Sequence, residues 1–181
     1  MHSRGFPPVA NAESRVLVLG TLPGPRSLQM RQYYAQSRNA FWPIMGELFG
    51  AYHELAYSKR LAVLRRHHVA LWDVCHAAYR PGALDAAIDM SSIVPNDLGD
   101  FLESHRRIRL ICFNGRTAEK LYRRLVLPGL PESRQSIPGR TLPSTSPAYA
   151  AMRFEQKLEQ WEIVLRECGG RCLNEKGRAG R

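Results

Sequence analysis

Three stretches of this chain gather residues able to do chemistry on a polar or anionic ligand. The first, Gly20-Thr21-Leu22-Pro23-Gly24-Pro25-Arg26-Ser27-Leu28, joins a backbone shaped by glycine and proline to an arginine and small hydroxyls. Free N–H groups and hydroxyls on such a loop can cradle a phosphate. The second, Tyr33-Tyr34-Ala35-Gln36-Ser37-Arg38-Asn39-Ala40-Phe41-Trp42, sets aromatic rings beside an arginine and an amide. Rings beside basic residues suit an unstacked base, since every base offers a face for stacking. The third, Leu142-Pro143-Ser144-Thr145-Ser146-Pro147-Ala148, carries hydroxyls on a proline-framed loop. Each also has a plainer reading. The two Gly/Pro loops can be tight turns, and Phe41 with Trp42 can open the apolar face of a helix. Tyr33, Tyr34 and Asn39 are harder to place in a core.

The elements that must position these stretches are marked by hydrophobic pattern. Val16-Leu17-Val18-Leu19 stops at Gly20, Val69-Ala70-Leu71-Trp72 at Asp73, and Leu110-Ile111-Cys112-Phe113 at Asn114-Gly115. Each run is too short for a buried helix and ends at a turn residue, as buried parallel strands do. A fourth strand is expected around Ser136 to Thr141. Helical spacing appears in Phe41, Met45, Leu48 and Phe49, in Leu121, Leu125 and Val126, and in Phe154, Leu158, Trp161 and Leu165. Another helix is expected through Leu98, Phe101, Leu102 and His105, with its start signal at Pro95-Asn96. Alternating strands and helices predict an α/β fold: a three-layer α/β/α sandwich around a central four-stranded, mainly parallel sheet. Ligands bind such sheets beyond the carboxyl ends of the strands. The two Gly/Pro loops and Asp73 converge there, and Asn114 faces the same region. Asp73 can accept a hydrogen bond from a ligand, cap a turn or pair with an arginine; Asn114 can equally serve the turn before Gly115.

Composition bounds the rest. The 181 residues suit one domain, read as 1–167, followed by a basic tail at 168–181 too poor in apolar residues to form a core. Lys and Arg total 26 against 16 for Asp and Glu, a formal charge of +10. That balance favours polyanionic partners, nucleic acid foremost, although a merely solvated basic surface has the same composition. No apolar run is long enough to span a bilayer, and Met1 to Ala12 lacks an apolar stretch of signal-peptide length, which predicts a cytoplasmic protein with no membrane partner. Cys75, Cys112, Cys168 and Cys172 form no C-x-x-C, and the six histidines form no spaced cluster, so neither a metal site nor a cofactor is expected. Cys112 lies in an apolar run and reads as a core residue.

In their order and spacing, Gly20-Thr21-Leu22-Pro23-Gly24, Tyr34 to Trp42 and Leu142 to Ala148 resemble the uracil-DNA glycosylase superfamily, and within it the hypoxanthine-DNA (deoxyinosine) glycosylases. The resemblance runs from about residue 14 to residue 166. It implies a monomeric repair enzyme, associated with the nucleoid, that flips hypoxanthine out of DNA and hydrolyses its N-glycosidic bond to leave an abasic site. Uracil or mismatch excision within the same superfamily, and a non-catalytic DNA-binding module, are the alternatives. The superfamily usually carries Asp or Asn beside the first proline, where this chain has Leu22. It often opens its second motif with His or Asn, where this chain has Leu142. The hypoxanthine branch resembles this chain in both losses and assigns catalysis to an Asn ahead of Phe-Trp, here Asn39. By the same matching Tyr34 stacks on the flipped base, and Asp73, Leu22 and Asn114 line its pocket. Gly24, Ser144, Thr145 and Ser146 grip the DNA backbone. No lysine lies near the three motifs in sequence, so a Schiff-base lyase step is not expected.

Overall fold

The computed structural model describes residues 2–82 and 84–169. In chain order its strands are β1 (His2–Arg4), β2 (Val16–Gly20), β3 (Val69–Asp73), β4 (Cys75–Tyr79), β5 (Val94–Pro95), β6 (Leu110–Asn114) and β7 (Gly139–Leu142). Its helices are α1 (Pro25–Met30), α2 (Phe41–Phe49), α3 (Tyr57–Arg66), α4 (Leu98–Ser104), α5 (Arg116–Leu125), α6 (Glu132–Gln135) and α7 (Phe154–Glu167). The central sheet runs β3-β2-β6-β7 and all its pairings are parallel. The expected "mainly parallel" sheet is thus wholly parallel, and its fourth strand ends at Leu142, directly ahead of the Pro143–Ala148 loop.

Side chains alternate across this sheet because the strand repeat is two residues. Val16 and Val18, with Val69, Leu71 and Cys112, face a core closed by Phe41, Trp42, Met45, Trp161 and Val164 from α2 and α7. Leu17 and Leu19, with Ala70, Trp72 and Phe113, face a second core closed by Leu98, Leu102, Ala118 and Leu121 from α4 and α5. The three layers are therefore helix, sheet, helix, and both cores end at the same sheet edge.

Several features were not in the sequence pattern. β1, β4 and β5 form a second, antiparallel sheet in the order β1-β4-β5. β4 (Cys-His-Ala-Ala-Tyr) has neither an apolar run nor a β-branched residue to announce it. Helix α1 forms inside the first Gly/Pro loop, where Pro25 supplies the preset φ of a first helical residue. The cap of α4 is Asp97, whose carboxylate accepts the Asp100 N–H at 3.0 Å. Asn96, the expected cap, is instead buried and donates its amide to the Asp73 carbonyl at 2.8 Å. The basic tail beyond Gly169, including Cys172, lies outside the described residues.

Candidate active site

The carboxyl ends of β2, β3 and β6 open onto a cleft of about 700 Å³ lined by the three motif stretches. That volume suits a base with its sugar. Gly20, Asp73 and Asn114 stand on neighbouring strands at its floor, since Gly20 pairs with Asp73 in register. The register explains the glycine. A Cβ on Gly20 would lie 2.4 Å from the Asp73 carboxylate and 2.8 Å from the Tyr34 hydroxyl. Gly20→Ala is accordingly expected to cost about 1–3 kcal/mol through overpacking and to push Tyr34 and Asp73 apart. Urea unfolding checks this, and wild-type stability would mean the floor has room to spare.

Tyr34 lines the cleft with its ring stacked on Phe41, centroids 4.1 Å apart and planes inclined by 25°. It holds a left-handed backbone, φ 53, unusual for an aromatic residue and a mark of constraint at a site. Its hydroxyl is buried and makes no hydrogen bond of ordinary geometry, although the Asn114 side chain is near enough to act on it. Burial, and then the charge of Asp73, push its pKa well above the ordinary phenol value. Tyr33 departs from expectation. It is a core residue, 3% exposed, whose carbonyl accepts the Trp42 indole N–H at 2.8 Å. Phe41 and Trp42 are buried, as their helical reading requires.

Asp73 is 3% exposed, and its Oδ2 is likewise buried without a partner. Burial pushes its carboxyl up to about 8, with repulsion from Asp85 adding and Arg80 opposing. Arg80 and Asp85 are the site residues that sequence reasoning missed. The Arg80 side chain is 1% exposed, and the guanidinium lies 3.4 Å from Asp85. It also donates to the carbonyls of Leu22 at 3.4 Å and Pro23 at 2.5 Å, pinning the first loop. Its ion-pair partner Asp85 is five residues on, but the carbonyls it pins lie 57 and 58 residues away, which no local pattern could reveal.

Asn114 acts as a clamp. Its Oδ1 accepts the Thr145 N–H at 2.9 Å and its Nδ2 donates to the Thr145 hydroxyl at 2.8 Å. The Thr145 carbonyl then accepts the Ala40 N–H at 3.0 Å, tying the third loop to the second. Thr145, read as a backbone grip, is 1% exposed, and these bonds commit it to shaping the loop. Trp161 adds a further tie, its indole N–H reaching the Pro143 carbonyl at 3.0 Å. Beside this junction Asn39 lines the cleft, its Oδ1 accepting the Phe41 N–H at 3.0 Å. The helix start therefore orients the amide.

Ser144 and Ser146 line the same wall, each hydroxyl accepting a backbone N–H, from Ser146 and Ala148 respectively. A hydroxyl that accepts still has its own proton to donate, and so suits a phosphate oxygen. Gly24 also lines the cleft with open space about its Cα. Leu22 is buried in the wall, whereas Leu142 is buried beneath the third loop in the α2/α7 core. Lys157, remote in sequence from the motifs, packs over the Tyr149 ring and donates to the Tyr149 carbonyl at 2.9 Å. Among the described residues no group of three or more His, Cys, Asp or Glu side chains could hold a metal ion.

Comparison with known proteins agrees with this geometry. Residues 7–166 match the model of the uracil DNA glycosylase superfamily. A hypoxanthine DNA glycosylase of Methanosarcina acetivorans is 38% identical over 168 residues, covering 92% of this chain and 99% of the relative. A hypoxanthine DNA glycosylase of Methanosarcina barkeri is 35% identical over 117 residues, 64% of this chain and 73% of the relative. The solution NMR structure of a candidate uracil DNA glycosylase from Methanosarcina acetivorans superposes with a TM-score of 0.76 at 34% identity, covering 93% of this chain and 99% of that one. A parallel sheet with a base-sized cleft at its carboxyl edge, walled by these loops, is the architecture of a DNA glycosylase. The chain belongs to the uracil DNA glycosylase superfamily.

Proposed function

We propose that this protein excises hypoxanthine from deoxyinosine-containing DNA, acting as a monofunctional glycosylase. The observation that carries the reading is the slot between Tyr34, Asn39 and Asp73. A rigid ring backed by Phe41 offers a face to a flat base, and Asp73 lines the floor of the same cleft. A relative matched over 99% of its own length is named for hypoxanthine. The absence of polar groups at Leu22 and Leu142 suits cleavage in which the base departs early. The sugar then becomes an oxocarbenium-like cation that a weakly activated water can capture. Asn39, which lines the cleft, holds that water: one lone pair of its Oδ1 is spent on Phe41, and a second remains to accept. Positioning of this kind replaces a strong base, whose own contribution would be only about 10²–10⁴-fold. The hydroxyls of Ser144 and Ser146, with exposed Arg26 and Arg38 on the rim, take the flanking phosphates. Leu22 and Asn114 shape the pocket, Gly24 lets the DNA backbone approach, and the protein works as a monomer on nucleoid DNA in the cytoplasm.

The test is single-turnover cleavage, with enzyme in excess, of duplexes carrying inosine, uracil or xanthine. Inosine is expected to be cut fastest. Uracil cut much faster would leave the fold assignment standing and sink the substrate. Binding without cleavage of any of the three would identify a non-catalytic module. The stacking role has its own check. Tyr34→Ala is expected to lose roughly 1–3 kcal/mol of stabilisation of the extruded base, far more than Tyr34→Phe. Unchanged single-turnover rates in the alanine variant would remove Tyr34 from the platform.

A further inference from the structure

The surroundings of the Asp73 carboxyl decide how it meets the base. Asp73 sits at the end of β3, where Asn96 holds its main-chain carbonyl and register places it against Gly20. Among the described residues no donor reaches its Oδ2, which is enclosed and unbonded. Among the described residues, the cation that acts on it is Arg80. Its Nη1 and Nη2 groups donate to the carbonyls of Leu22 and Pro23 and to Asp85, its buried Nε has no hydrogen-bond partner, and no ion pair among the described residues joins it to Asp73. Asp85 places a second carboxyl close enough to raise the cost of a charge at Asp73. An ionised carboxylate in this position would be enclosed, unpaired and beside another acid, which burial penalises heavily.

We propose that Asp73 meets the flipped base as a neutral carboxylic acid and donates its hydrogen to the O6/N7 edge of the departing purine. The inference rests on the hypoxanthine reading above and specifies the chemistry of its floor. As the bond between C1′ and N9 breaks, both electrons pass to the purine and charge gathers on N9, N7 and O6. An Asp73 O–H directed at that charge favours the transition state over the ground state. The proton passes to the purine, which leaves as neutral hypoxanthine. Water forms the new bond to C1′ and gives its proton to solvent, and Asp73 is reprotonated from solvent. Atoms and charge balance with no further reactant. This role also fits Leu22 and Leu142, since an acid at the base supplies assistance that those two positions lack.

Other titratable groups around Asp73 are accounted for. The hydroxyls of Tyr33, Tyr34 and Tyr57 are pushed above the ordinary phenol range by burial. The Cys75 thiol is pushed up by burial to about 12. Asp85 is raised by burial and drawn back by Thr21 and Arg80. His76 reaches Asp73 only through Asn96. Asp73 itself, at about 8, is the group that changes state at mildly alkaline pH.

The experiment is single-turnover excision of hypoxanthine from pH 6 to pH 10, with folding at each pH followed by circular dichroism. In the wild type the rate is expected to be level below about 8 and then to fall by roughly tenfold per pH unit. Asp73→Asn keeps a donor and an acceptor but cannot ionise. It should cut more slowly than wild type at pH 7, faster than Asp73→Ala, and with the alkaline fall removed. Asp85→Asn should keep the fall and move it to lower pH. A flat wild-type profile, a fall that survives Asp73→Asn, or a fall abolished by Asp85→Asn alone would each overturn the Asp73 assignment while leaving the function in place. No cleavage of inosine, uracil or xanthine DNA at any pH would overturn the function and the assignment together.

Discussion

Asn39→Ala is expected to lower single-turnover excision of hypoxanthine by about 10²–10³-fold, the cost of losing one well-placed polar contact to the transition state. Two other residues of the same cleft are poor substitutes for it. Asn114 spends both ends of its amide on Thr145, and Leu22 has nothing to offer a water. Binding of inosine DNA should be nearly unchanged, because Tyr34, Ser144 and Ser146 remain. Folding is a separate concern, since Asn39 also accepts the Phe41 N–H at the start of α2. Asn39→Ser retains a short acceptor for that N–H but is ill-placed to hold water, and so separates helix support from catalysis. Asn39→Asp should retain more activity than alanine, because a carboxylate oxygen can hold both the N–H and the water. Near-normal rates in Asn39→Ala would move suspicion to Asp73.

The second large effect is on stability. Arg80→Met is expected to destabilise the protein by about 3 kcal/mol, as breaking a buried ion pair by removing one partner does. The methionine fills most of the volume, so the loss comes from the Leu22 and Pro23 carbonyls, left without their donor, and from Asp85. Asp85's share is discounted because its side chain is 39% exposed and water can reach it. Arg80→Lys should recover only part, since one ammonium group cannot spread over two carbonyls and a carboxylate as a guanidinium does. Excision should fall along with stability, because the loop Arg80 pins is the wall that carries Leu22. Urea unfolding monitored by circular dichroism gives the number, and a loss under about 1 kcal/mol would show the loop to be held by its backbone alone.

What the sequence determined by itself is whatever rests on local pattern. Val16–Leu19, Val69–Trp72 and Leu110–Phe113 announce themselves because a central parallel strand is covered on both faces and must be apolar at every position. The amphipathic repeat of Phe154, Leu158, Trp161 and Leu165 marks α7 for the same kind of reason, with one face for the sheet. The motif stretches were visible because glycine, proline and clustered aromatics are rare enough to stand out, and all three do line one cleft. β7 was only approximately legible, since Gly139–Leu142 is short and its first three residues are exposed. Tertiary structure alone decided which polar groups work together. Asn114 and Thr145 are 31 residues apart and meet because a strand end and a loop are brought to one sheet edge. Arg80 and Asp85 belong to a segment with no periodicity at all, and their importance comes from carbonyls elsewhere in the chain that need a donor. Tyr33 and Tyr34 are neighbours of identical type and both reach the cleft, yet Tyr33 is buried in the core edge-on to Phe6 while Tyr34, in a left-handed turn, stacks on Phe41. The state of Asp73 is the clearest case. Its identity is written in the chain, but its proton is held by burial and by the prior engagement of Arg80, and both exist only once the sheet, the β4 segment and the loops have closed around it.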